Sequence, residues 1–191
     1  MRGALLIPLL LAAGAAPAAA AAPVRAGQLH AGEGVFLTLD EALALAFPGC
    51  KMEKRTFYPT KEQQAEIGRR AGTHPLGSVV TAWEARREGV LVGTAWTDTH
   101  KVRTMPATLL IAVGPDARVQ RVEVLAFREP RAYLPRGDWL AQFRGRALDD
   151  TLQIKRGVRG IAGATLTARA ATDAVRRALA QHAVLAAAAG K

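Results

Sequence analysis

Apolar positions along this chain change their period twice. Leu39, Ala42, Leu43 and Ala46 recur at helical spacing. They follow Thr38-Leu39-Asp40-Glu41, which has the spacing of a capping box, and Pro48-Gly49 stops the run. The pattern predicts a short helix ending near Phe47, and a second helix that starts at Thr60 and runs from Lys61 to about Arg70. Alternating or continuous apolar runs then occupy Val79 to Ala85, Val90 to Thr97, Thr108 to Val113 and Val119 to Phe127. Their spacers are Arg87-Glu88-Gly89, the Met105-Pro106 region and Gly114-Pro115-Asp116-Ala117. Spacers this short join antiparallel neighbours, because a parallel pair needs a long crossover.

Helical spacing returns after Pro135-Arg136-Gly137, where Asp138 is the predicted cap and Trp139, Leu140 and Phe143 face inward. An extended piece is expected from Leu152 to Ile154. The closing helix, Ala168 to Leu185, carries Ala171, Ala174, Val175, Ala178 and Leu179 as a stripe to lie on the sheet. The fold class is therefore α+β: a single domain, one antiparallel sheet, and helices packed mainly on one face.

Between the extended piece and the last helix lies Gly160-Ile161-Ala162-Gly163-Ala164-Thr165-Leu166-Thr167. Two glycines and two alanines leave the backbone nearly bare, so a bulky group can approach closely. Thr165 or Thr167 is expected to cap the helix, and free N–H groups at a helix start attract anions. A hydroxyl on such a turn suits a phosphate, held or bonded.

Gly163-Ala164-Thr165-Leu166-Thr167 resembles the Ser-Gly-Ala-Thr signature of FMN-binding domains, found in subunits of sodium-translocating and Rnf-type redox complexes and in soluble exported relatives. In that family the threonine carries FMN through a phosphoester made by a separate flavin transferase. The resemblance implies attachment at Thr165, with Ile161, Gly163, Ala164, Leu166 and Thr167 around the cofactor. Two positions differ from the family pattern: Arg159 stands where an acidic residue is usual, and Ala162 where Ser or Thr is usual. Phe36 to Gly49 also resembles the opening of the soluble FMN-binding proteins, and the likeness extends from about Gly34 to Leu185.

Three further places are candidates. Asp98-Thr99-His100-Lys101-Val102-Arg103-Thr104 resembles the same run in the exported members, which implies His100 and Arg103 at the flank of a flavin pocket. The residues alone read equally well as a solvated strand end with one local ion pair. Glu129 stands where the complex-bound relatives have a turn lining their flavin, and only it and a nearby proline match. Arg159 and Arg169 flank the attachment turn, where either would neutralise a phosphate. Tyr133 reads as an edge-of-core side chain.

Composition narrows the setting. The chain has 191 residues, enough for one domain with a real core, and a formal charge of +10. That charge favours acidic partners, anionic ligands or an anionic membrane surface. Residues 1–22 read as an export signal, with Arg2, the apolar Ala4 to Ala13 and small-residue cleavage options at Ala18-Ala19-Ala20. This implies a periplasmic protein, for which nucleic acid is not an expected partner. Residues 23–33 read as a flexible leader, 34–185 as the FMN-binding domain and 186–191 as a frayed tail. Cys50 is the single cysteine, so an internal disulfide and a Cys-x-x-Cys-His haem site are excluded; Cys50 itself reads as partly buried. Four scattered histidines show no metal-ligand spacing.

The reading is an exported flavoprotein that relays electrons between membrane or periplasmic redox proteins, a carrier more than a stand-alone enzyme. The alternatives are a reversible flavin-binding or sensor domain, and a basic envelope adaptor without redox chemistry.

Overall fold

The structure, a computed structural model, describes residues 34–74 and 77–186. The expected signal, the leader and residues 187–191 lie outside the described residues.

The order is α1 (Leu39–Ala46), β1 (Lys51–Phe57), α2 (Lys61–Ala71), β2 (Val80–Arg87), β3 (Val90–Lys101), β4 (Pro106–Val113), β5 (Val119–Phe127), α3 (Gly137–Leu140) and α4 (Thr165–Gln181). The strands form one antiparallel sheet in sequence order, β1 to β5. This is the α+β fold the pattern predicts. Both early helices begin on capping boxes, Thr38 with Glu41 and Thr60 with Gln63. Glycine ends α2 in the left-handed conformation, at Gly72 with φ 67°.

One face of the sheet holds the main core. Trp96, Leu109 and Ile111 meet Ile67 of α2, Phe143 and Val175 of α4 there. The predicted stripe Ala171, Ala174, Val175, Ala178 and Leu179 is buried in this layer. Among the described residues the opposite face is covered by α1 and the residues just before it, with Leu43 and Phe47 seated over Ala85, Ala95, Leu110, Ala112 and Leu125. Gly93 makes that seat possible: a Cβ there would stand 2.5 Å from the Phe47 ring.

Four differences from the sequence reading have physical causes. The strand β1 is absent from the pattern because Lys51-Met52-Glu53-Lys54-Arg55-Thr56-Phe57 is mostly charged. It is an edge strand, and its charges pair along it, Lys51 with Glu53 at 3.0 Å, and across to β2, Arg86 with Glu53 at 3.4 Å and Arg55 with Glu84 at 3.5 Å. The closing helix starts at Thr165, its N-cap is Ala164, and no side chain caps it, so neither Thr165 nor Thr167 takes the predicted role. Asp138 lies in the first turn of α3 and does not cap it; Arg136 holds that position without a side-chain bond. The Leu152 to Ile154 piece is turn structure, tied only by the bridge of Ile154 to Val158.

The helix α4 runs antiparallel to β3. Going back along α4, His182 just beyond its end stacks edge-on to Trp96, Arg177 bonds Asp98, and Asp173 lies by His100. The N-terminus of α4 therefore points toward the end of the sheet from which the β3–β4 turn projects.

Candidate functional site

The turn before α4 is held at both sides of Arg159. The Trp139 indole N–H donates to the Arg159 carbonyl at 2.8 Å, and the Arg159 amide donates to the Gln142 side-chain oxygen at 2.8 Å. Trp139 is in turn braced edge-on against Phe143, with ring centroids 5.2 Å apart. The chain then passes Gly163, whose φ of 75° falls in the left-handed region where a side chain is strained. No atom comes within 4 Å of a Cβ built at Gly160 or Gly163, so both glycines face open space.

Of the two threonines, Thr165 is exposed and Thr167 is only 3% exposed. Leu166 is 49% exposed beside Thr165, while Ala164 is buried. The first bond of the helix is Ala168 N–H to the Ala164 carbonyl. The amides of Thr165, Leu166 and Thr167 therefore have no partner among the described residues, and they point out of the positive end of the helix dipole. The side chains of Arg159 and Arg169 are exposed on either side of this end.

The second group lies farther along α4. Asp98 is 2% exposed and Arg177 is 6% exposed. The Arg177 guanidinium forks the carboxylate, Nε to Oδ2 at 2.8 Å and Nη2 to Oδ1 at 2.9 Å. His100 adds a contact from Nδ1 to Oδ1 at 2.7 Å. Burial raises the Asp98 pKa, but the bonds from His100 and Arg177 outweigh it and hold the carboxyl below its ordinary range. An ionised carboxylate only accepts, so His100 Nδ1 donates in this contact. Asp98 and His100 are thus buried against α4, not a solvated strand end.

The third group is the β3–β4 turn. Glu129 Oε1 accepts the amides of Thr104 at 2.6 Å, Met105 at 2.8 Å and Arg103 at 3.1 Å. Those of Met105 and Thr104, with Arg103 behind them, hold its pKa below the ordinary value. Glu129 spends its charge on shaping this turn. Arg103 projects from the turn with its own side chain exposed.

The structure thus places Ile161, Gly163, Ala164, Thr165, Leu166, Thr167 and Arg159 in one turn, with His100, Arg103 and Glu129 toward the same end of the sheet. Four participants were not read from the sequence. Arg177 and Asp173 look like the polar face of a helix until β3 packs beside them, and Trp139 and Gln142 look like core and surface. An arginine among alanines at the spacing of the buried stripe is the one signal for Arg177 in the chain itself.

An α+β domain whose last long helix opens on a bare turn with unspent amides offers a place suited to an anion such as a phosphate. Residues 104–180 match the family model of the FMN-binding domain; this stretch of the chain belongs to that family, and FMN is its cofactor. No curated protein matches the chain. The residues present fit the cofactor: free amides and flanking arginines suit its phosphate, and the open turn leaves room for its bulk.

Proposed function

We propose that the protein is an exported electron carrier with FMN bonded through its phosphate to Thr165. The observation that carries this reading is the contrast between the two threonines, one hydroxyl exposed at an uncapped helix start and the other buried. A threonine hydroxyl is a weak nucleophile that needs a base or metal. No Asp, Glu or His of the described residues bonds Thr165, which fits a chain that is the substrate of a separate flavin transferase. Bound FMN supplies a ring system able to take up two electrons and pass them on singly. The protein's own residues attach it, orient it and set the charge around it.

The export signal read at residues 1–22 supports a periplasmic site of action, and no helix among the described residues is long and apolar enough to cross a membrane. The basic surface supports transient docking to acidic redox proteins. Intact-mass measurement of protein made with a flavin transferase tests the core of the reading. One FMN adduct, lost in Thr165→Ala and kept in Thr167→Ala, is expected. An adduct that survives Thr165→Ala rules out that tether. Flavin that copurifies without an adduct leaves reversible binding in its place.

A further inference from the structure

Residues 159–163 lead into Thr165, yet little holds them. Val158 before them is buried and donates its amide to the Gln153 carbonyl, and Ala164 after them is buried. The amides of Gly160, Ile161, Ala162 and Gly163 meet no partner among the described residues. One local backbone bond runs from the Ala164 amide to the Ile161 carbonyl at 3.0 Å. A Cβ at Gly160 or Gly163 would find open space, so packing adds nothing at either glycine.

Among the described residues, the hydrogen bonds that tie this segment to the rest of the molecule both land on the main chain of Arg159, from Trp139 and to Gln142. Gln142 is oriented by its own Nε2, which donates to the Trp139 carbonyl at 2.8 Å and leaves Oε1 toward the Arg159 amide. The two side chains therefore brace each other as well as the turn. Behind them Phe143 is fully buried in the main core and meets the Trp139 ring edge-on. The turn is thus pinned to the core through α3 and the single turn Ala141–Phe143 that follows it. Because the grip is on main-chain atoms, it does not depend on which side chain stands at 159. A hydroxyl that must meet a phosphorus in line reacts fastest when it is already placed, since ordering a loose segment at the moment of reaction costs conformational entropy.

We infer that Trp139 and Gln142 are positioning residues for the modification of Thr165: their clamp on Arg159 presents the turn in the shape the flavin transferase takes up. The inference rests on the tether proposed above. The step is a transfer of FMN from a flavin dinucleotide. Thr165 Oγ1 forms a bond to the phosphorus on the flavin side, and the P–O bond to the nucleotide phosphate breaks. The nucleotide monophosphate leaves with the electron pair, and the hydroxyl proton passes to a base of the transferase. Trp139 and Gln142 bond Arg159 and not Thr165, so both act through the chain between them.

The test follows the adduct on full-length protein by intact mass over time, with transferase and flavin dinucleotide supplied and the protein varied in concentration as the substrate. Trp139→Phe keeps a ring against Phe143 but removes the N–H, and Gln142→Met keeps the length but removes the acceptor. Each should lower kcat for FMN addition about tenfold and leave KM within about twofold, because the surface the transferase meets is kept while the placing of the hydroxyl is lost. Gln142→Glu keeps an acceptor and, assayed at high salt to screen its added charge, should recover most of the rate. Trp83→Phe, on the α1 side of the sheet, should be modified at the wild-type rate. Hydrogen exchange reads the clamp without the transferase: the amides of Arg159 and Ala164 should exchange faster in Trp139→Phe, and those of Ala174 and Ala178 should not. Gln142 is half-buried at the surface, so Gln142→Met decides the matter should Trp139→Phe fail to fold. Wild-type kcat in these variants overturns the positioning role and leaves the tether standing. A rise in KM alone also overturns it, since the residues would then belong to the surface the transferase binds. Absence of any adduct on wild type overturns both.

Discussion

Asp98 joins three residues that sequence separates. Its two carboxylate oxygens hold Arg177 of α4 and His100 of its own strand, all but sealed from water. Removing one partner of such a pair leaves an uncompensated buried charge, so Asp98→Asn should cost about 3 kcal/mol in urea unfolding. The pH dependence has a definite sign. The folded pKa of Asp98 is depressed, so its stabilisation is complete above the ordinary carboxylate range, near pH 4, and is lost as pH falls through the folded value. Asp173 acts oppositely: its raised pKa means that ionisation opposes folding as pH rises from about 4 through its folded value. Unfolding curves of wild type and Asp98→Asn should run parallel at neutral pH and draw together as pH falls below about 4, where the unfolded carboxyl takes up its proton. Curves that stay parallel as pH is taken well below about 4 would show that Asp98 is not the group responsible.

At the scale of elements, the hinge of the main core is Arg176. Its guanidinium donates to the Ala71 carbonyl at 2.6 Å and to the carbonyls of Asp149 at 2.9 Å and Leu152 at 3.1 Å. One side chain thus closes the C-terminus of α2, α4 and the 149–152 turn together, and a cation there also meets the negative end of the α2 dipole. Arg176→Met keeps the stem but strips these carbonyls, and should cost about 3 kcal/mol. Amide exchange should speed up in the last turn of α2 more than in β4, whose bonds Arg176 does not touch. On the other face, Gly93→Ala should destabilise by at least about 1 kcal/mol, since the new Cβ would meet both the Phe47 ring and the Val113 carbonyl at 2.9 Å. Elements with apolar period were legible in the chain: α1, α2, β2 to β5 and the stripe of α4 all follow from it. Elements whose stability comes from pairing were not. An edge strand of charges has no period to read, and Asp98, Arg176 and Arg177 look solvated until α4 lies over β3. The attachment turn was legible because small residues and a threonine before a helical stripe carry their meaning locally. The choice of Thr165 over Thr167 rested on resemblance, and the burial of Thr167 is a tertiary fact.

For the whole molecule, the question is whether its charge has a use. A formal +10 over 191 residues is a large field for a chain this size, and several of its cations are already spent inside: Arg176 on carbonyls, Arg177 on Asp98. Arg159, Arg169 and Arg103 are exposed around the end of α4 and the β3–β4 turn. A field centred there should steer anionic redox partners toward the cofactor end and repel cationic ones. The flavin-loaded, reduced protein tests this with two small oxidants, ferricyanide as the anion and hexaamminecobalt(III) as the cation. The rate with ferricyanide should fall about tenfold from low to high salt as screening shortens the reach of the field, and the rate with the cation should rise. Arg103→Gln combined with Arg169→Gln should flatten both dependences. If the two oxidants respond to salt alike, the basic surface does not steer electron transfer, and docking must be explained by shape.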